Sequence, residues 1–367
     1  MLNIALTNRS TAVIDVENRL IIPPLYYPFP VGISRDSQEI EEKTFDWLAK
    51  HGLLERGGEM EKTLRELHAA DFIGRLFHDM HHDGYFALSM FYAWIYVVDQ
   101  GFCEDGVFRD DPAGLAELSL WLREIFYDPY DFDWSPLCRD ISASFLPQYA
   151  ELCHRLGTAT QDMCRHIERL STPSQYMQFV DGVTYYFLGV TWQTGRLLDD
   201  SVTLCIHAAA RRSFTAVMAN LALWGPTTGV VVPPDEINNV DVRRMLALTS
   251  QVAGIFNDII SYGNDKGVLW GLPGLLVKRG LSEQDAISEA VRINNEKVAA
   301  FIDLRRKIVP WASPELLRYV DAMGTLMRGQ PEWSIRTKRY AYDKYFDFRG
   351  CTDVYHASAP RAQLVYA

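Results

Sequence analysis

Three polar side chains recur at four-residue intervals in the second half of the chain. Asn257, Ser261 and Asp265 are spaced i, i+4 and i+8, so on a helix they share one face. An amide oxygen, a hydroxyl and a carboxylate are hard oxygen ligands of the kind that Mg²⁺ prefers. The preceding residues 246–256 are strongly apolar, and polar groups that continue a buried helix need a partner. The triplet therefore indicates either a divalent metal site or a polar helix stripe that faces water.

A second candidate site lies where an apolar, aromatic segment ends in carboxylates. Residues 94–98 are followed at once by Asp99, and Glu104 and Asp105 come shortly after. The four apolar residues before Asp99 predict that its carboxylate lies at the mouth of the core. Acidic groups at the C-terminus of a helix oppose the helix dipole, and a bound cation would compensate them. A solvated helix end is the alternative interpretation.

The third set of candidate residues is basic. Arg211 and Arg212 are adjacent in a predicted helix, and Arg339-Tyr340 follows Trp333 near the end of the chain. Taken singly, an arginine is most often a surface cation. Its planar fork is nevertheless the side chain that best matches phosphate oxygens.

The overall composition excludes one class of partner. The chain has 367 residues with 36 basic and 47 acidic side chains, a net charge of −11, and this balance argues against a nucleic-acid binder. Hydrophobic residues make up 48% and charged residues 23%, as in globular proteins. The six cysteines lack paired spacing, no secretory signal is visible, and the longest apolar run, residues 85–98, is too short to cross a membrane. We therefore expect a soluble, cytoplasmic protein.

Helical periodicity dominates the chain from about Ser37, which we expect to be an N-cap. Ser282 is a second expected cap, because Asp285 follows it three positions later. Strand signals are confined to residues 11–22 and 229–232. About ten helical segments follow from the same periodicity, which predicts an all-α fold.

The domain organisation is predicted from the same pattern. Residues 1–35 are rich in proline and aromatic residues and form an irregular N-terminal arm. No repeat or linker divides residues 36–348, which we expect to form a single α-helical domain. Residues 349–367 are expected to be a C-terminal tail.

Together these segments resemble bacterial class I terpene synthases (terpene cyclases). Residues 257–265 are similar to the family's ND-x-x-S-x-x-x-E motif, with Asp in the last place, and residues 99–104 resemble its aspartate-rich motif, with Gln100 in the second place. Arg211, 46 residues before Asn257, stands about where the family carries a diphosphate-sensing arginine. Arg339-Tyr340, 82 residues after Asn257, resembles the family's terminal RY pair. The likeness covers nearly the whole chain from Pro28.

The resemblance implies the class I terpenoid synthase fold, a single-domain α-helical bundle with a central active-site cavity. It implies three Mg²⁺ ions, or Mn²⁺ in their place, with ligands at Asp99, Glu104, Asn257, Ser261 and Asp265. It also implies that the diphosphate is bound and its departure assisted by Arg211, Arg339 and Tyr340. This is chemically consistent, because metal ions and arginines stabilise a departing anion.

An allylic cation needs a dry cavity with aromatic walls. The aromatic residues nearest the motifs are candidates for such walls, and Tyr92 and Tyr96 share a helix face with Asp99. Thr215 stands where the resemblance places a small effector residue. The predicted substrate contacts besides the diphosphate-binding residues are thus Phe91, Tyr92, Tyr96, Trp333 and Thr215.

Some positions depart from the family pattern. Gln100 replaces the second acidic residue, Asp265 is one methylene shorter than the usual glutamate, and Asn264 stands where a lysine is common. Arg212 remains an alternative to Arg211 as the sensor.

The function implied is Mg²⁺-dependent cyclisation of farnesyl diphosphate to a sesquiterpene, with geranylgeranyl diphosphate and a diterpene as the alternative. A homodimer is a further expectation. A chain-elongating isoprenyl synthase would show two aspartate-rich motifs, and no second one is present. Residues 78–83, HDMHHD, suggest an HD-type metal phosphohydrolase as a competing hypothesis. The departure at Gln100 leaves open a non-catalytic terpenoid-binding protein.

Overall fold

The computed structural model describes residues 19–103, 106–131, 133, 150–194, 201–212, 217–264 and 271–350. Their helices are α1 (Ser37–Lys50), α2 (Glu59–Leu67), α3 (Ala69–Leu76), α4 (His82–Val98), α5 (Pro112–Tyr127), α6 (Ala150–Leu170), α7 (Pro173–Gln193), α8 (Leu204–Ala210), α9 (Val217–Thr228), α10 (Pro234–Ile237), α11 (Val240–Ser261), α12 (Leu272–Lys278), α13 (Glu283–Ile308), α14 (Pro314–Ser334) and α15 (Tyr342–Tyr345). A π-helical turn, Asp99–Cys103, continues α4, and two short strands are β1 (Leu20–Ile22) and β2 (Phe346–Phe348). The all-α prediction is confirmed.

Local sequence signals explain where several helices begin. The predicted cap Ser282 accepts a hydrogen bond from the Asp285 backbone N–H at 3.1 Å, and α13 starts at the next residue. Thr172 and Gln175 form a reciprocal capping box at the start of α7. The predicted cap at Ser37 is wrong: Ser37 is the first helical residue, and Asp36 precedes it at φ 68°, without a side-chain cap. A residue that caps a helix with its side chain normally has extended backbone. Asp36, at the cap position, has left-handed backbone instead.

The two ends of the described chain meet. Strand β1 pairs in parallel with β2, Leu20 opposite Phe346 and Ile22 opposite Phe348. Farther along the arm, Tyr27 donates its hydroxyl to Asn294 of α13 at 2.8 Å and is fully buried. This part of the predicted arm is therefore packed onto the bundle. The predicted strand at residues 229–232 is a loop that follows α9.

Helix α4 forms the centre of the bundle. Almost all of its residues are buried, as expected of a helix that is apolar all round. It contacts α1, α3, α6 and α9, while α9 packs along α7, α11 along α13, and α14 along α3. No described helix combines the length and the apolar character needed to cross a membrane.

Helices α4 and α9 make a close backbone contact at one end of the bundle. A Cβ atom placed on Gly84, near the start of α4, would lie 2.5 Å from both Cα and O of Thr227 in α9. Only glycine permits this approach. The opposite end of α4 carries Asp99, so the contact closes the bundle at the end away from the carboxylates.

We predict that Gly84→Ala lowers the free energy of unfolding by about 1–3 kcal/mol, because the added methyl group forces the two helix backbones apart. The measurement is urea unfolding followed by circular dichroism. Gly101→Ala is the control, since its Cβ would meet nothing nearer than Leu152 at 3.8 Å. Equal stability of the two variants would contradict the close contact.

Candidate active site

Asp99 lies at the junction between α4 and the π-helical turn. Helical backbone continues through it without a break, and π-helical turns are frequent at functional sites. The buried Tyr186 of α7 donates its hydroxyl to Asp99 Oδ1. No sequence pattern indicates this partner, because Tyr186 is one of several aromatic residues in α7. The predicted ligand Glu104 lies outside the described residues.

Asn257, the first residue of the predicted metal-binding triplet, contacts the terminal RY pair. Asn257 Nδ2 donates to the Tyr340 hydroxyl at 2.9 Å, and Ser261, one turn later, is the last residue of α11. The Asn264 side chain donates to the backbone oxygens of Arg339 at 3.2 Å and Tyr340 at 3.1 Å. Asn264, a departure from the family pattern, thus holds the backbone of the RY pair. The predicted ligand Asp265 lies outside the described residues.

Arg211 is held by a carboxylate that the sequence interpretation did not single out. Its Nη2 donates to Asp258 Oδ1 and its Nε to Asp258 Oδ2, the latter at 3.3 Å. Asp258 Oδ2 also lies 2.6 Å from His207 Nε2 and accepts from the Leu272 backbone N–H at 3.1 Å. The three side chains are almost fully buried, whereas Arg212 is exposed. Arg211, not Arg212, is therefore the buried arginine whose side chain is bonded to α11.

Opposing effects set the charge state of this cluster. Burial raises the pKa of Asp258, but the charge of Arg211 and the hydrogen bonds from His207 and Leu272 outweigh burial and hold the pKa below its usual value. Burial lowers the pKa of His207. The low pKa keeps the Asp258 carboxylate ionised, and the Arg211 guanidinium compensates its charge. We call His207, Arg211 and Asp258 the Asp258 cluster.

A row of aromatic rings runs from Tyr92 of α4 to Tyr340 of the RY pair. Ring centroids are 4.9 Å apart for Tyr92 and Phe72, 4.4 Å for Phe72 and Trp333, and 5.9 Å for Trp333 and Tyr340. Burial raises the pKa of Tyr92, on which the charges of Arg339 and Asp99 also act, in opposite directions. The row thus brings together three of the predicted site residues, Tyr92, Trp333 and Tyr340. It also contains Phe72, which the sequence patterns did not indicate.

The remaining predicted residues are less closely associated. Phe91 is fully buried, with Trp94 at 6.0 Å and Phe179 at 5.0 Å between ring centroids, so it is part of the aromatic core and does not join the row. Tyr96 is buried in α4. Thr215 lies outside the described residues. Arg339 is exposed and lies over the Tyr340 ring at 5.9 Å.

Residues 78–83 serve local structural roles. His81 caps α4 by accepting from the Gly84 N–H at 3.0 Å, and its other ring nitrogen lies 3.0 Å from the Pro226 oxygen. His82 pairs with Glu39, and Asp79 with Arg318. Across the described part of the chain, no group of three or more His, Cys, Asp or Glu side chains is arranged to bind a metal. These contacts account for the motif without a phosphohydrolase site.

Comparison with known proteins places the chain in a family. The family model for "terpene synthase family 2, C-terminal metal binding" matches residues 90–300. The chain is 24% identical over 321 residues to phomopsene synthase of Allokutzneria albata and 25% identical over 325 residues to a germacradien-6-ol synthase of Streptomyces pratensis. Each alignment covers 87% of this chain and 86% of the relative.

A third relative is the 4-epi-cubebol synthase of Streptosporangium roseum, whose name describes it as (2E,6E)-farnesyl diphosphate cyclizing; it is 23% identical over 88% of this chain and 92% of its own length. Among solved structures, a variant of the reconstructed ancestral protein SVS_A2 superposes with a TM-score of 0.74 and 25% identity. That alignment covers 86% of this chain and 90% of the solved one.

We predict that Asp258→Asn lowers the free energy of unfolding by about 3–5 kcal/mol, because it leaves the buried Arg211 charge without its carboxylate. Asp303→Asn, which breaks an exposed pair with Arg306, should cost no more than about 0.5 kcal/mol. Urea unfolding of both variants gives the comparison. Similar stabilities would show that the Asp258 cluster is not a buried ion pair.

Proposed function

Because the chain belongs to terpene synthase family 2 and is a bacterial class I terpene synthase, we propose that it ionises farnesyl diphosphate with bound Mg²⁺ and cyclises the cation to a sesquiterpene. The observation that carries this proposal is the hydrogen bond between Asn257 and Tyr340, which joins a predicted metal ligand to a predicted diphosphate ligand. We favour farnesyl diphosphate over geranylgeranyl diphosphate as the substrate because the names of several relatives describe them as cyclising farnesyl diphosphate.

The residues at this end of the bundle fit a hard divalent ion. Asn257 uses its Nδ2 to donate to Tyr340, which leaves Oδ1 as its metal-facing atom. Ser261 adds a hydroxyl one turn away, and Asp99 adds a carboxylate oriented by Tyr186. Glu104 and Asp265 would complete the ligand sets. Bound there, Mg²⁺ supplies positive charge that neutralises the diphosphate as it leaves.

The protein's own donors would hold the diphosphate during ionisation. Arg211 is oriented by Asp258, and the Tyr340 hydroxyl by Asn257. Donors fixed before the reaction stabilise the developing anion without reorganising as its charge grows. Arg339, which is exposed, would reach the diphosphate from the solvent side.

The aromatic row supports the second half of the reaction. Tyr92, which lies two turns before Asp99 on α4, forms a contiguous aromatic surface with Phe72 and Trp333, in which Phe72 and Trp333 are buried and Tyr92 is partly buried. Aromatic faces attract cations, and burial excludes the bulk water that would otherwise quench the intermediate. The Trp333 indole N–H donates to the Leu67 oxygen at 2.7 Å, which fixes the ring.

The direct test is incubation of the pure protein with Mg²⁺ and farnesyl or geranylgeranyl diphosphate. We expect C15 terpenoid products by gas chromatography–mass spectrometry, with stoichiometric diphosphate release that EDTA abolishes. Conversion of geranylgeranyl diphosphate alone would refute the proposed C15 substrate but not the proposed class of reaction. Absence of turnover with both would favour the non-catalytic binding protein.

We predict that Asn257→Ala and Asp99→Ala each lower kcat/KM for farnesyl diphosphate by at least about 100-fold, because each removes a metal ligand needed to neutralise the leaving group. Diphosphate release measures the loss, and circular dichroism verifies that the helices remain. Asn238→Ala is the matched control, since Asn238 is exposed and bonds only Pro234 of α10 among the described hydrogen bonds. Full activity of either site variant would refute its assignment.

A further inference from the structure

Strand β1 is hydrogen bonded along both of its edges. One edge pairs with β2, and next to this pairing the Arg349 N–H donates to the Ile22 oxygen at 3.1 Å. On the other edge, the Ile21 N–H donates to Gln284 Oε1 at 2.8 Å, and Gln284 Nε2 donates to the Ile21 oxygen at 2.9 Å. An amide that accepts and donates in this way takes the place of a neighbouring strand. Gln284, in the first turn of α13, therefore anchors β1 to the bundle.

The segment that β1 supports leads directly from the RY pair. After Tyr340 the chain passes through Ala341 and α15 into β2. Arg19, the residue before β1, donates from Nη1 to the Asp343 oxygen of α15 at 3.1 Å. The N-terminal arm therefore holds this C-terminal segment at two places, α15 and β2.

Ala341, next to the RY pair, has left-handed backbone at φ 43° and ψ 43°. This conformation brings the Cβ of an L-residue too close to the following carbonyl, and it persists only where the surrounding structure holds it. On one side, Asn257 and Asn264 bind Tyr340. On the other side, β1 holds β2. Release of β2 would let Ala341 return to the right-handed region, which redirects the chain just after Tyr340.

The first turn of α13 also contacts the end of the helix that carries the predicted metal ligands. Tyr262, the residue after α11, donates its hydroxyl to Glu283 Oε1 at 3.0 Å. The next residue, Gly263, lies so close to Tyr345 of α15 that an added Cβ atom would overlap the tyrosine ring. Glu283 and Gln284 are adjacent, so one helix turn supports the end of α11 and, through β1, the segment after the RY pair.

We propose that Gln284 is a positioning residue for diphosphate binding, because its amide holds β1 and β1 holds the RY pair in the conformation that binds. This inference rests on the proposed function, in which Arg339 and Tyr340 contact the diphosphate. Without the anchor, a smaller fraction of the molecules has the RY pair in place, and the apparent affinity falls by that fraction. The molecules that do bind are unchanged, so the ionisation step keeps its rate.

The test is the Gln284→Ala variant of the full chain. Isothermal titration calorimetry with inorganic diphosphate in the presence of Mg²⁺ should show a Kd raised about fivefold. The KM for farnesyl diphosphate should rise by the same factor, and kcat should stay within about twofold of the wild-type value. Backbone amides of residues 341–350 should exchange with deuterium faster than in the wild-type protein.

A second variant breaks the same contact from the strand. Ile21→Pro removes the N–H that Gln284 Oε1 accepts, and it should raise the Kd for diphosphate by a similar factor. Because both substitutions release the same anchor, the double variant should bind diphosphate no more than about twofold more weakly than either single variant. Independent, multiplying effects would contradict a shared anchor.

Two controls separate this role from a general loss of stability. Ser288→Ala removes a hydroxyl 3.2 Å from Gln284 Nε2, leaves both bonds to Ile21, and should not change the Kd. Gln175→Ala is the matched control, since Gln175 also lies in the first turn of a helix and its amide donates to a backbone oxygen, that of Val230, at 2.8 Å. It should lower the melting temperature and leave the Kd for diphosphate unchanged.

An unchanged Kd in Gln284→Ala, or a loss confined to kcat, would overturn the proposal and leave the cyclase function intact. An equal rise of the Kd in Gln175→Ala would also overturn it, because the effect would then follow stability. A wild-type protein that binds diphosphate but converts no prenyl diphosphate would refute the cyclase reaction. In that case a raised Kd in Gln284→Ala would still support the anchor.

Discussion

The buried carboxylate of Asp258 is the interaction on which the rest of the site depends. It accepts from Arg211, His207 and the Leu272 N–H, and thereby ties α8, α11 and the first residue of α12 to one point. A buried charge is tolerable only when its oxygens are fully hydrogen bonded and its charge compensated, and both conditions are met here. Asn257 precedes Asp258 directly on α11, so the cluster that orients Arg211 also fixes the rotation of the helix that carries the predicted metal ligands Asn257 and Ser261.

The C-terminal residues are attached to the same helix. The Tyr340 hydroxyl accepts from the Asn257 side chain, and the Asn264 side chain donates to the backbone of Arg339 and Tyr340. Residues 339–340 are therefore hydrogen bonded to the last turn of α11 and the residues that follow it. The predicted metal ligand Asn257 and the predicted diphosphate ligands Arg211 and Tyr340 therefore share supports on α11. A shift of α11 would act on Arg211 through Asp258 and on Tyr340 through Asn257.

Sequence patterns predicted the residues that recur at helical spacing, and missed those that act across helices. Asn257 and Tyr340 were expected together because each belongs to a recognisable segment. Asp258 lay within the same segment, but a pattern of i, i+4 and i+8 directs attention to one face of α11 and ignores the next. Tyr186 and Phe72 had no signal at all, since one tyrosine or phenylalanine in an aromatic chain looks like any other until its partner is known. The pairing of β1 with β2 spans more than 300 residues, and no local pattern encodes it.

The acidic character of the chain is compatible with an anionic substrate because its carboxylates differ in how they are compensated. Asp258, which adjoins the predicted metal ligand Asn257, is instead paired with the buried Arg211. Asp99 accepts a hydrogen bond from the Tyr186 hydroxyl. A neutral donor of this kind orients a carboxylate without cancelling its charge. One carboxylate thus holds a protein cation in place, and the other, the predicted metal ligand, is oriented by a neutral hydroxyl. The net charge of −11 describes the whole chain and does not distinguish these two roles; the hydrogen-bond partners do.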